Sequence, residues 1–181
     1  MSLLWKTRND EIGGYQMNTI LYSEMIRKKV DTPVEGVNAK LVDILARQAE
    51  GYWEANEIKI ETGLISSKGK FFSTEELRNI GGDTRMKVGK PIDAGRKNPS
   101  DENELYLSRL DGRKVNTFDG RELGRIYDYE LYIDSQPWKV WKLLIDPTGL
   151  SPLKRRVRIP TKHVKEVKQK VIILKEEYEG V

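Results

Sequence analysis

The chain carries one pattern twice, at a spacing of 85 residues. Lys29-Val30 recurs as Lys114-Val115, Thr32 as Thr117, Asp43 as Asp128, Trp53 as Trp138 and Ile60 as Ile145. Further on, Thr62-Gly63-Leu64 returns as Thr148-Gly149-Leu150, and Ser73-Thr74 corresponds to Pro160-Thr161. The spacing drifts there to 86 and then 87, which requires only single-residue insertions in turns. A solenoid unit spans roughly 20–50 residues; this period is the size of a small domain. Two copies of one module predict a duplicated binding or scaffold unit rather than a duplicated active site.

Local patterns within each copy point to short strands. In the first, Ala39 to Leu45 and Trp53 to Glu61 alternate between apolar and polar residues, and Thr84 to Val88 reads as a last strand. In the second, Arg113 to Val115, Leu123 to Ile133, Trp138 to Ile145, Val157 to Ile159 and Val171 to Leu174 repeat the scheme. Gly, Pro and Asp turns separate them, as in a small barrel or sandwich. Ser73-Thr74-Glu75-Glu76 has the form of a helix N-cap with acidic residues in the first turn, and Pro160-Thr161 starts its counterpart. The fold class is therefore mainly β: two tandem small barrels or sandwiches, each with a short helical turn near its end, and the family resemblance given below implies barrels. The boundaries fall at 1–19 for an N-terminal arm, 20–89 for the first barrel and 105–178 for the second. Residues 90–104, with Pro91, Gly95 and Pro99 among polar neighbours, read as a linker.

Composition removes several classes of function. The chain has 181 residues, 38% of them hydrophobic and 33% charged, with no apolar run of the roughly 20 residues a membrane span needs. Met1 to Tyr15 lacks the apolar stretch of a signal peptide. No cysteine is present, which removes disulfides, thiolate nucleophiles and thiolate metal sites and agrees with a cytoplasmic protein. The net charge is only +4, but the basic excess is concentrated in Lys154, Arg155, Arg156, Arg158, Lys162, Lys165, Lys168 and Lys170. The matching segment of the first copy carries Glu75, Glu76 and Asp83, so the two surfaces have diverged.

The second copy resembles the PRC-barrel family. The resemblance lies in Gly112-Arg113-Lys114-Val115, in Asp119-Gly120-Arg121-Glu122-Leu123-Gly124-Arg125-Ile126 with Asp128, and in Leu143-Leu144-Ile145. Arg158-Ile159-Pro160 and Val171-Ile172-Ile173-Leu174-Lys175 complete it. The family includes the barrel of the photosynthetic reaction-centre H subunit, the C-terminal domain of the ribosome-maturation factor RimM, and short archaeal proteins. The first copy departs from the pattern: Ala39 stands opposite Gly124 and Ser73 opposite Pro160. The tandem arrangement looks most like the archaeal members, some of which act as adaptors in assembling the tubulin-like cell-division ring. The resemblance implies docking and supplies no catalytic residues.

Each remaining candidate has a plain structural reading beside a functional one. His163, the only histidine, has no ligand-spaced partner and reads as a surface helix residue. Asp43 and Asp128 lie one per copy, which suits a repeated structural role such as accepting backbone N–H groups at a turn or bulge. Trp53 and Trp138 correspond and suit a barrel core or rim. Trp138 and Trp141 point to opposite faces of one strand, so one of them faces away from its own core. Trp138, Trp141, Leu143 and Trp53 are the interface candidates, with Trp141 as anchor of an expected homodimer. Lys154, Arg155, Arg156, Arg158, Lys162, Lys165 and Lys168 form a candidate basic patch for RNA, DNA, an anionic membrane surface or a protein. No cofactor or metal site is expected. The leading expectation is a non-enzymatic adaptor that meets itself, a homologous barrel or another protein; the alternative is an RNA- or ribosome-associated module.

Overall fold

A computed structural model describes residues 10–12, 15–31, 39–62, 68–78, 80, 86–92, 103–147 and 157–178. Its first strands are β1 (Asp10–Ile12), β2 (Tyr15–Met17) and β3 (Thr19–Leu21), followed by the one-turn helix α1 (Tyr22–Met25). The first half continues with β4 (Lys29–Asp31), β5 (Ala39–Arg47), β6 (Trp53–Thr62), β7 (Lys68–Ser73), a 3-10 turn at Thr74–Glu76 and β8 (Met86–Lys87). The second half runs through β9 (Glu104–Tyr106), a 3-10 turn at Leu107–Leu110, β10 (Lys114–Asn116), β11 (Glu122–Tyr132), β12 (Trp138–Asp146) and β13 (Val157–Pro160). A 3-10 turn at Thr161–His163, β14 (Val164–Val167) and β15 (Val171–Leu174) complete it. The helical turn expected near the end of each copy is present in both.

The halves use the same pairings. A long antiparallel hairpin, β5–β6 or β11–β12, forms the middle of each. The preceding short strand pairs with the hairpin's first arm and, in parallel, with a late strand: β4 with β5 and β8, β10 with β11 and β15. β7 and β13 flank the second arms. Each hairpin is bent at the same two places, between Leu41 and Asp43 and between Leu45 and Ala46 in one, between Ile126 and Asp128 and between Glu130 and Leu131 in the other. Such bulges add twist and curl a sheet toward closure.

The halves are not separate along the chain. β6 and β12 pair antiparallel, with Trp138 opposite Ala55, Lys139 opposite Glu54 and Val140 opposite Trp53. This joins both halves into one curled 13-stranded sheet. The entry strands are also exchanged. β3, which begins the first half, pairs with β11 of the second; β9, which begins the second, pairs with β5 of the first. Of the linker expected at 90–104, residues 93–102 lie outside the described residues; at its edges Glu104 opens β9 and Ile92 bridges to Phe71. Val164–Val167 is a strand directly after the 3-10 turn, because Val164 and Val167 pair with Leu174 and Ile172 of β15.

One apolar core runs through both halves. It includes Met25, Leu41, Ile44, Trp53, Ile58, Ile60 and Phe72 from the first, and Leu107, Leu110, Val115, Tyr129, Trp138, Leu143 and Ile172 from the second. Modules of this size bury little surface alone, so sharing a core adds stability that neither could supply separately.

Candidate interaction surfaces

Each exchanged entry segment is held by an aspartate of the opposite half. Asp128 accepts the backbone N–H of Ser23 at 3.0 Å, the Ser23 hydroxyl, and the N–H of Tyr129 at 2.8 Å. Asp43 accepts the same set: the N–H of Ser108 at 3.2 Å, the Ser108 hydroxyl, and the N–H of Ile44 at 2.9 Å. Both carboxylates are buried and sit at the first bulge of their hairpins. The sequence suggested that they accept N–H groups at a bulge; it did not show that the second partner comes from the other half. The symmetry extends to the strand ends, where Ile133 donates its N–H to the Asn18 carbonyl and Gln48 donates to that of Asn103.

The middle of the joint is aromatic and polar. The rings of Tyr22 and Tyr129 meet edge to face at 5.4 Å. Tyr22 donates its hydroxyl to Asp43, and Tyr129 donates to the Leu107 carbonyl at 2.9 Å, with Asp111 at 3.3 Å. Burial, reinforced by neighbouring carboxylates, pushes both phenols far above the usual tyrosine range, so they remain proton donors. Burial also raises the Asp111 carboxyl. Thr161 donates its hydroxyl to the Val140 carbonyl and accepts the N–H of Trp53, so it fastens one half to the other. Its counterpart Thr74 donates to the Ala55 carbonyl at 3.1 Å.

The four interface candidates lie in or beside this joint. Trp53, Trp138 and Leu143 are in the shared core. Trp141, three residues after Trp138 and at the register shift between Val140 and Lys142, lies outside the shared core, yet it is only 9% exposed. Its ring stacks on Tyr52 of the first half at 4.1 Å and lies 6.1 Å from Tyr132. The register shift lets Trp138, Val140, Leu143 and Ile145 all face the core, so the outward apolar row that alternation predicted for this strand does not form, and Trp141 is covered within the chain.

The basic candidates divide. Lys154, Arg155 and Arg156 lie outside the described residues. Arg158 is turned toward the buried Glu130, 3.9 Å away, with Lys142 at 3.8 Å from the same carboxylate and Thr19 donating to it at 3.0 Å. The corresponding place in the first half holds the apolar cluster of Leu45, Phe71 and Tyr106. Lys168 pairs with Glu166 at 3.4 Å. Lys162 lies over the Tyr52 ring at 5.7 Å, and Lys165 over that of Phe118 at 4.5 Å. Phe118, at 48%, is the most exposed large apolar side chain among the described residues. Sequence reasoning missed it because it lies in the Thr117–Arg121 turn rather than in any periodic stretch.

Beside this face lies a polar cleft of about 570 Å³, lined by Gln48, Ala49, Glu50, Trp53, Asn103, Val164, Lys165 and Lys175. His163 packs against Tyr178 at 5.1 Å, and burial, followed by the charges of Lys162 and Lys175, holds its imidazole below the usual histidine range. Among the described residues no three His, Asp or Glu are grouped to hold a metal ion, and no helix is long and apolar enough to cross a membrane.

Residues 102–178 match the family model of the PRC-barrel domain. The match begins just before β9 and covers the second half, where Gly124 of β11 and Pro160 of β13 are found. Among curated proteins none matches the chain.

Proposed function

We propose that this chain, with its PRC-barrel domain at residues 102–178, is a non-enzymatic adaptor that recruits a protein partner through the outer surface of its second half. PRC-barrel domains are interaction folds of scaffold type. The observation that carries the reading is the difference between the halves. They keep the same strands, bulges and joint, yet one carries a buried apolar cluster where the other carries Glu130, Arg158 and Lys142. The second half sets Phe118 and Lys165 together in the open. An aromatic ring with a cation on its face suits a partner that offers an apolar side chain ringed by carboxylates. The cellular setting we put forward is a cytoplasmic one, in the archaeal cell-division assembly that some members of the family serve.

The alternative is RNA binding by the same face, favoured by the cations set over Tyr52 and Phe118. A photo-crosslinking residue at position 118 of the intact chain, activated in the native cell, distinguishes the two. The adaptor reading expects a discrete protein adduct that is lost with Lys165→Glu. An RNA adduct, with nucleic acid that co-purifies and is stripped by salt, would overturn it in favour of the alternative.

A further inference from the structure

Glu54 and Lys139 are the same position of the repeat, 85 residues apart, and they face each other directly across β6 and β12. On either side the pairs are Trp138 with Ala55 and Val140 with Trp53, each the counterpart of the other. A two-fold pseudo-axis therefore passes through Glu54 and Lys139. The backbone relations that hold the exchanged segments occur twice: Ser23 with Asp128 and Ser108 with Asp43, Asn18 with Ile133 and Asn103 with Gln48. On the axis a position meets its own counterpart, so the pair it forms has no symmetry-related copy. Here the two residues differ in sign, and Lys139 Nζ lies 2.7 Å from Glu54 Oε1, with both side chains about a third exposed.

Pairing two like halves from different chains would use the same joint. Two first halves would place Glu54 against Glu54; two second halves would place Lys139 against Lys139. Like charges directly opposite on paired strands repel. The Trp141–Tyr52 stack points the same way. The counterparts of these residues are Asn56 and Pro137, so the stack forms only when unlike halves meet. We propose that Glu54 and Lys139 are specificity-determining residues of the joint: they make unlike halves pair and like halves repel. The joint is then made by one first half and one second half, as it is within this chain.

The test uses the intact chain in three forms, Glu54→Lys, Lys139→Glu and the reversed double variant. Each single variant makes every pairing equally like-charged. Each should lower the melting temperature by about 2–4 °C and yield two-chain species when refolded at high concentration. The reversed pair should restore both the melting temperature and the single-chain mass seen by light scattering. The proposal is overturned if the effects of the single changes simply add in the double variant. It is equally overturned if stability falls and recovers while all forms remain single chains, which would leave an ordinary ion pair with no role in choosing partners.

Discussion

Asp128 holds Ser23, a residue 105 positions earlier in the chain, by both its backbone N–H and its hydroxyl. The mirror relation joins Asp43 to Ser108. These two bridges make each half depend on a segment that belongs, by sequence order, to the other. Replacing either aspartate by alanine removes the acceptor of a buried N–H in its own hairpin and of two donors on an exposed serine of the other half. Asp128→Ala and Asp43→Ala are each expected to lower the unfolding free energy of the whole chain by about 3 kcal/mol. Ser23→Ala removes one hydroxyl contact and is expected to cost about 1 kcal/mol. Urea denaturation checks both; a loss confined to a separate early transition would mean that the halves do not share their stability.

Trp141 was the natural anchor for a contact between chains, and it is used within one. Its stacking on Tyr52 closes the outer side of the joint. Trp141→Glu is therefore expected to destabilise the fold by about 3 kcal/mol or more through lost packing and a charge set against Tyr52. Light scattering of wild type and variant should give the same mass. A wild-type dimer that this substitution turned into a folded monomer would contradict the arrangement.

Two positions of the repeat adopt the same left-handed backbone with different residues. Arg27 has φ 69° and its counterpart Gly112 has φ 71°, and each donates its N–H to the opposing strand, at Leu41 and Ile126. The side chain of Arg27 is exposed, so Arg27→Gly should be tolerated and should raise stability by up to about 1 kcal/mol. Gly112→Ala should cost a similar amount. Gly124, at φ 151°, is stricter: a Cβ there would lie 2.3 Å from the Asp146 carbonyl oxygen. Gly124→Ala should lower the melting temperature clearly more than Gly112→Ala does, since it displaces the start of the β11–β12 hairpin.

His163 gives a pH signature of defined sign. In the unfolded chain its imidazole takes a proton near pH 6.5, whereas burial in the folded chain, with Lys162 and Lys175 nearby, holds it neutral to lower pH. The unfolded state therefore binds more protons in that window, and stability must fall as the pH drops from about 6.5 through the folded value. Melting temperatures from pH 7.5 to 5 should show this slope, and His163→Gln should flatten it. An unchanged slope in the variant would place its origin elsewhere.

Much of this fold was legible because the repeat constrains it. The long hairpins, the late helical turns and the bulge aspartates follow from alternation, turn residues and matched positions such as Asp43 and Asp128. The exchange of entry strands was not legible. Ile20 and Leu105 occupy equivalent positions, and nothing in a three-residue strand says which of two like sheets it will join. A signal was available in Asn18 with Asn103 and Ser23 with Ser108, which extend the repeat at the same spacing into the arm and the linker. The basic run was read as one surface, but Arg158 is drawn toward Glu130 because a buried carboxylate needs cations near it. Phe118 escaped notice because exposure of a turn residue has no periodic signature.

Native-state hydrogen exchange of the intact chain in increasing urea tests the interlocked arrangement most directly. The amides of β5 and β6 and those of β11 and β12 should open with one free energy and one denaturant slope, and Asp128→Ala should lower both sets equally. Protection of β11 and β12 that persists after β5 and β6 have exchanged would show two independent barrels and contradict the shared core.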